Sequence, residues 1–300
     1  MPDPFSNTIK QPFLQTIEDP VFIARSLKVQ VLRMDVLHPV ISGNKWMKLQ
    51  PWIELAKQNG NGAIVTKGGP WSNHVHAAAF AAQSEGLLFT AIIKGKEEMC
   101  TPMLEDALKW GVKLIYVDDK DYKNDAKWIK LASSANQLYV PMGGEGEVAA
   151  EGVSQYINNL NLPAFDHIIC PIGTGTTFRG IAASNISYTK MTAINPGIND
   201  PSYEQMLLEL REKYPAKNFS IIENKQLKKF GKWPPELVTK MNDWYQQWQL
   251  PTDIIYTAKM FFIFTELVKN EYFEKEESIL LIHTGGLQGN RSLRQGLLNF

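Results

Sequence analysis

"AIVTKGGPWSNHVHAAAFAAQSEGLLFTAIIKG", residues 63–95, reads as a strand, a glycine turn, an Ala-rich helix stopped by Gly86, and a second strand. The pattern continues with a helix in "EEMCTPMLEDALKWG", a strand in "KLIYVDD", a helix in "KNDAKWIKLASSA" and a strand in "LYVPMGG". Strands separated by helices pair in parallel, with the helices on the sheet faces. A second series starts near residue 146 with the helix "GEVAAEGVSQYINNL" and the strand "DHIICPIG" (166–173). Further strands are expected in "KMTAIN", "FSIIE" and "SILLIHTGG", and helices around 201–214, 235–248 and 258–270. The expected fold class is α/β: two open, mostly parallel twisted sheets flanked by helices.

The chain has 300 residues, enough for two α/β domains or one large one. Hydrophobic residues make up 44%, which supplies a core. Lys plus Arg equals Asp plus Glu, so the basic excess of a nucleic-acid or membrane-surface binder is missing. The run "KQLKKFGK" (225–232) reads as a solvated face. Cys100 and Cys170 have no partner at metal-ligand spacing, and both read as buried thiols. The amino terminus lacks the basic and apolar regions of a signal peptide, and "MFFIFTELV" (260–268) is too short to span a bilayer. A soluble, cytoplasmic protein is expected.

In doubly wound sheets, ligands sit beyond the carboxyl ends of the strands. Three loops fit that position. In "TKGGPWSNHVHA" (66–77), Ser72 and Asn73 open a helix, either as caps or as ligand contacts. Capping does not account for Gly68-Gly69, which would let a ligand approach the backbone. In "PIGTGTTFRG" (171–180), Gly173 and Gly175 alternate with Thr174, Thr176 and Thr177. That turn is a phosphate cradle or an ordinary strand–helix turn, and neither a Walker loop nor a complete dinucleotide motif. The third loop is "IHTGG" (282–286). No metal is expected: His74 and His76, two apart on a helix, face different ways.

"SGNKWMKLQ" (42–50) holds two lysines. Lys45 follows the turn-forming Gly43-Asn44; desolvated there, its neutral amine can form a Schiff base with an aldehyde. A Schiff-base lysine together with a phosphate cradle specifies pyridoxal 5'-phosphate. Lys48 is expected to face solvent. Pro51 is expected to set the first helical turn, leaving Lys45 outside the helix.

The ordered motifs "SGNKWMKL", "KGGPWSNHVHA", "MGGEG", "GTGTT", "PTDIIYTAKM" and "HTGG" resemble the 1-aminocyclopropane-1-carboxylate deaminase / D-cysteine desulfhydrase family. That family belongs to the tryptophan-synthase-β-like (fold type II) pyridoxal-phosphate enzymes. The resemblance runs from about residue 18 to the carboxyl terminus. It implies a large domain of residues 1–52 and 146–300 and a small domain of 53–145. It implies catalytic roles for Lys45, Ser72 and Tyr256. Lys45 would hold the cofactor, Asn73 would bond its phenolic oxygen, Gly173 to Thr177 would form the phosphate cup, and Thr284 would lie near the pyridine nitrogen. It also implies a small amino-acid substrate and a homodimer.

Where the ring-opening deaminases carry a glutamate after the tyrosine, this chain has Thr257, which resembles the desulfhydrase branch and is carried as a cofactor contact. A hydroxyl stabilises a protonated pyridine less than a carboxylate does, which favours β-elimination over ring opening. The expected reaction is D-cysteine to pyruvate, sulfide and ammonia. The rivals are cyclopropane deamination, a serine/threonine dehydratase-like lyase and a non-catalytic cofactor binder. Ile254 and Ala258 replace the family's proline and glycine, and a tyrosine expected upstream is replaced by Phe230 or Trp233.

Overall fold

A computed structural model describes residues 9–223 and 229–300. It contains the expected two sheets. The four-stranded sheet uses β3 (Ala63–Gly68), β4 (Leu88–Lys94), β5 (Lys113–Val117) and β6 (Gln137–Val140), in the order β5-β4-β3-β6 and parallel throughout. The six-stranded sheet takes β1 (Phe13–Thr16), β2 (Lys28–Arg33), β7 (Phe165–Pro171), β8 (Tyr188–Asn195), β9 (Asn218–Glu223) and β10 (Ser278–His283). Its order is β1-β2-β10-β7-β8-β9, and only the β1–β2 pair is antiparallel. These first two strands precede the alternation that begins at residue 63.

The helices are α1 (Pro20–Ala24), α2 (Asn44–Gln58), α3 (Asn73–Ser84), α4 (Pro102–Lys109), α5 (Asp119–Tyr122), α6 (Asp125–Ser134), α7 (Glu147–Asn158), α8 (Thr176–Ala183), α9 (Ser202–Lys213), α10 (Glu236–Trp248) and α11 (Thr257–Lys269). The stretch "EEMCTPMLEDALKWG" is not one helix. A 3₁₀ turn at Glu97–Met99 precedes α4, which begins at Pro102 with the Thr101 hydroxyl capping the Leu104 N–H at 3.3 Å. Proline lacks the N–H a continuous helix needs and suits a helix's first turn.

Alternate residues of the central strands serve opposite faces. Ile168, Cys170, Leu280 and Ile282 join the main core with α2 and α3, while Ile169, Ile279 and Leu281 join a second core with α10 and α11. The "MFFIFTELV" stretch lies on α11, with Met260 to Phe264 buried in that second core. Cys170 is buried as expected, but Cys100 is exposed, because the loop before α4 runs over the surface. Of "KQLKKFGK", residues 225–228 lie outside the described residues; Lys229 and Lys232 are exposed. No described helix is long and apolar enough to cross a membrane.

In each sheet the chain reverses direction once. From β7 it steps outward to β8 and β9, while β10 pairs on the other side of β7. From β3 it steps to β4 and β5, while β6 pairs on the other side of β3. Such reversals open a crevice at the strands' carboxyl ends. All three glycine loops and the Gly143-Gly144 turn after β6 are at these ends.

α2 corrects one expectation. It begins at Asn44, so Lys45 lies inside its first turn, and Pro51 sits within the helix. Pro51 leaves the carbonyl of Met47 without its helical partner. Gly152 of α7 faces that spot: a Cβ there would lie 2.4 Å from Pro51 Cγ and 2.5 Å from the Met47 oxygen. α7 therefore approaches α2 only because residue 152 has no side chain. Gly152→Ala is expected to destabilise the protein by about 1–3 kcal/mol through overpacking, read as a lower denaturant midpoint at unchanged slope.

Candidate active site

The site begins at a contact between main chains. Gly43 has φ +66°, and a Cβ there would lie 1.9 Å from the Thr284 carbonyl oxygen. The Asn44 N–H donates to that same oxygen at 3.2 Å. The α2 amino terminus thus rests on the turn after β10. From there the Asn44 side chain reaches two ways: its Nδ2 donates to Thr177 Oγ1, and its Oδ1 accepts from Lys45 Nζ, both at 2.8 Å. One amide links Lys45 to the Gly/Thr turn and to Thr284.

Lys48 does not face solvent. It is buried and its amine reaches the Gly143 carbonyl at 3.3 Å. Residues three apart on a helix share a face, so Lys48 is turned to the same side as the half-buried Lys45; that spacing was the signal in the sequence. Burial lowers the Lys45 pKa from 10.5 to about 8, with Asp253 partly offsetting it. Burial, then repulsion from Lys45, lowers Lys48 to about 7, with Glu145 opposing. Burial and both lysines lower His74 to about 3. His74 is therefore neutral. The Thr66 hydroxyl gives its proton to the Val140 carbonyl at 2.6 Å, so His74 Nε2–H donates to Thr66 Oγ1 at 2.9 Å. His74 Nδ1 is then a buried acceptor with no partner among the described residues. His76 points elsewhere, its Nε2 on Asp106 at 3.1 Å.

The Gly/Thr turn joins β7 to α8. Gly175 has φ +80°, and a Cβ there would strike Met206 Sδ at 2.7 Å, so only glycine fits. No side chain caps α8, which leaves its first N–H groups free for an anion. Thr174 and Thr176 hydroxyls bond each other at 3.0 Å, and Tyr203 OH donates to the Gly173 carbonyl at 2.6 Å. The open side of Gly173 faces the Tyr256 ring, 3.5 Å from a Cβ position there. Burial, then Asp253, raises the Tyr256 pKa, so its phenol stays protonated.

Ser72 caps α3, its Oγ accepting the Val75 N–H at 3.2 Å. Gly68 is not open to a ligand: its Cβ position lies 2.6 Å from Val75 and 2.7 Å from Ser72 Oγ, so it makes room for that cap. Gly69 has nothing within 4 Å. Asn73 lies against Gly286 and Gly289, and its buried Oδ1 has no partner among the described residues. Thr257 turns inward. Its hydroxyl donates to Asp253 Oδ1 at 2.8 Å and accepts the Asp253 N–H at 2.7 Å. Fully buried Asp253 also accepts from the N–H groups of Ile255, Tyr256 and Thr257, which caps α11. Phe230 meets Tyr256, ring centroids 5.9 Å apart, whereas Trp233 packs on the second core.

The structure therefore links Lys45, Thr177 and Thr284 through Asn44, sets Asn73 against the glycines after Thr284 and Gly173 against Tyr256, and commits Thr257 to a helix cap. Sequence reasoning missed Lys48, His74, Asp253 and Tyr203 there. Asp253 carried a signal, an aspartate just ahead of a helix; Tyr203 arrives from α9 and carried none.

An uncapped helix start, a buried lysine beside a half-buried one, and unpartnered amide and imidazole atoms suit a ligand with an anionic phosphate, an aldehyde and a polar aromatic ring. The sequence profile of pyridoxal-phosphate-dependent enzymes matches residues 23–285. The chain belongs to that family. Its cofactor is pyridoxal 5'-phosphate. A Thermotoga maritima protein provisionally named 1-aminocyclopropane-1-carboxylate deaminase is 26% identical over 291 residues, 87% of this chain and 89% of the relative. A rice protein provisionally named mitochondrial D-cysteine desulfhydrase 2 is 23% identical over 66% of this chain and 56% of its own. Among solved structures, an ACC deaminase homologue superposes with TM-score 0.78 at 21% identity, covering 94% of this chain and 93% of its own. A Rhizomucor miehei L-serine ammonia-lyase does so with TM-score 0.64 at 14% identity, covering 92% and 95%.

The lysines set a pH dependence for the protein without cofactor. Their folded pKa values, about 8 and about 7, lie below 10.5. Between these limits the unfolded chain binds more protons, so stability rises with pH; below about 7 the full penalty applies. Lys48→Met is expected to raise the urea midpoint of the apoprotein at pH 7 and to flatten its rise toward pH 10.

Proposed function

We propose that this enzyme catalyses β-elimination from a small amino acid, D-cysteine plus water giving pyruvate, hydrogen sulfide and ammonia. The observation that carries the choice of elimination is Thr257. Its hydroxyl proton is committed to Asp253, so at the sequence position where the ring-opening deaminases carry a glutamate this chain has no carboxylate to offer the ring. The cofactor, when bound, supplies the electron sink that makes the substrate's α-hydrogen acidic.

The residues divide the remaining work. Lys45 would hold the cofactor's aldehyde, and as a free amine with a pKa of about 8 it could take the substrate's α-proton near neutrality. The free N–H groups of α8, the hydroxyls of Thr174, Thr176 and Thr177, and the Lys48 ammonium would hold the phosphate. Asn73 would orient the ring through its phenolic oxygen, and Thr284 would serve its nitrogen. Ser72, whose oxygen already accepts the Val75 N–H, keeps its proton free for the substrate's reacting end. Tyr256, kept protonated, can give a proton to the leaving sulfur. The domain boundaries at 53 and 145, the homodimer and a cytoplasmic location belong to the same proposal; the boundaries are supported by the four-stranded sheet's lying within 63–140.

Cyclopropane deamination is the second reading, supported by the provisional names of the bacterial and archaeal relatives. Wild type is expected to show a visible absorbance band and to release pyruvate faster from D-cysteine than keto acid from the cyclopropane amino acid. Lys45→Ala is expected to lose both the band and turnover; full turnover in that variant would reject the reading. Thr257→Glu is expected to move the rate ratio toward the cyclopropane substrate.

A further inference from the structure

Beyond the turn after β10, a 3₁₀ segment, Leu287–Ser292, takes no part in the proposed chemistry. Its side chains leave in opposite directions. Gln288 donates to the Pro39 carbonyl at 2.6 Å. Asn290 accepts the Ile254 N–H at 3.0 Å and donates to the Thr252 carbonyl at 2.9 Å. These bonds tie the segment to chain flanking the six-stranded sheet.

Arg291 reaches the other way, to helices of the four-stranded sheet. Its guanidinium pairs with Asp106 of α4 and donates to the Pro102 carbonyl at 3.2 Å. The same Asp106 oxygen bonds His76 Nε2 at 3.1 Å. His76 lies one turn along α3 from Asn73. The backbone of the segment meanwhile closes on Asn73: a Cβ at Gly286 would be 2.9 Å from its Nδ2, and one at Gly289 3.4 Å away. The contacts form a closed ring, from the segment through Asn73, α3, His76, Asp106 and Arg291 back to the segment.

A pair this exposed, with side chains 40% and 23% accessible, contributes little to overall stability. Its value lies in geometry. The planar guanidinium fixes α4 through two acceptors at once, and Asp106 passes that constraint to α3. We propose that Arg291 is a positioning residue, which through Asp106 and His76 sets the α3 amino terminus, and with it the Asn73 amide, over the cleft between the sheets. This rests on the reading of Asn73 as a cofactor contact, which its buried, unpartnered Oδ1 supports.

Two measurements on Arg291→Met test it. In hydrogen–deuterium exchange of the apoprotein, residues 72–76 and 101–104 are expected to exchange several-fold faster, with α9 and α10 unchanged; Arg291→Lys restores part of the protection. In the holoenzyme, the pH midpoint of the bound cofactor's absorbance change is expected to shift in the wild-type background and not in Asn73→Ala. Unchanged exchange at 72–76, or an equal shift in both backgrounds, overturns the proposal. A wild type with no visible band rejects the cofactor reading instead, while the exchange result still decides whether Arg291 holds α3.

Discussion

The backbone at Gly43 lies against the carbonyl of Thr284 so closely that a single methyl group would collide with it. Everything at the cleft depends on that approach. It seats the first turn of α2 on the end of β10, which lies between β2 and β7. It aims Asn44 at Thr177, so the lysine, the Gly/Thr turn and the last glycine turn share one hydrogen-bonded frame. The requirement at residue 43 is steric and conformational together, since φ is +66° and no room exists for a side chain.

That frame gathers positive charge where water is scarce. Lys45 and Lys48 occupy one helix face, and both amines are pushed toward neutrality by burial. The compensating charges near them are indirect, Asp253 for one and Glu145 for the other. Burial also holds the Cys170 thiol up, to about 12, so it remains uncharged. Such an arrangement costs stability until an anionic, carbonyl-bearing ligand arrives, the usual relation between a strained polar site and its function. Asp253 is used differently. Its carboxylate is consumed by four donors at the start of α11, and that makes the adjacent threonine part of the scaffold.

Much of this was legible in order. The βαβ alternation, the three glycine loops and Lys45 are local features: period, turn residues and a lysine beside a turn. Lys48 was misread because solvent exposure is the default for an isolated lysine, while its exposure here is set by what α7, β6 and β7 place around it. Pro51 was misread because its ordinary place is a first turn; in mid-helix it meets Gly152, about a hundred residues on, whose missing side chain lets α7 pack there. Gly68 looked like a ligand position but makes space for Ser72 and Val75, a packing fact no dipeptide reveals. The choice between Phe230 and Trp233 was open in the sequence; the ring contact with Tyr256 falls to Phe230.

The sequence by itself determined the class of fold and the chemistry of the loops, because helix and strand periods, glycine turns and reactive side chains act over a few residues. Tertiary structure alone decided which lysines lose their water, which hydroxyls are already engaged, and how Arg291 ties the segment after β10 to α4. Those outcomes depend on desolvation and on contacts between residues far apart in the chain. They exist only once β3, β6, β7 and β10 have brought their carboxyl ends together.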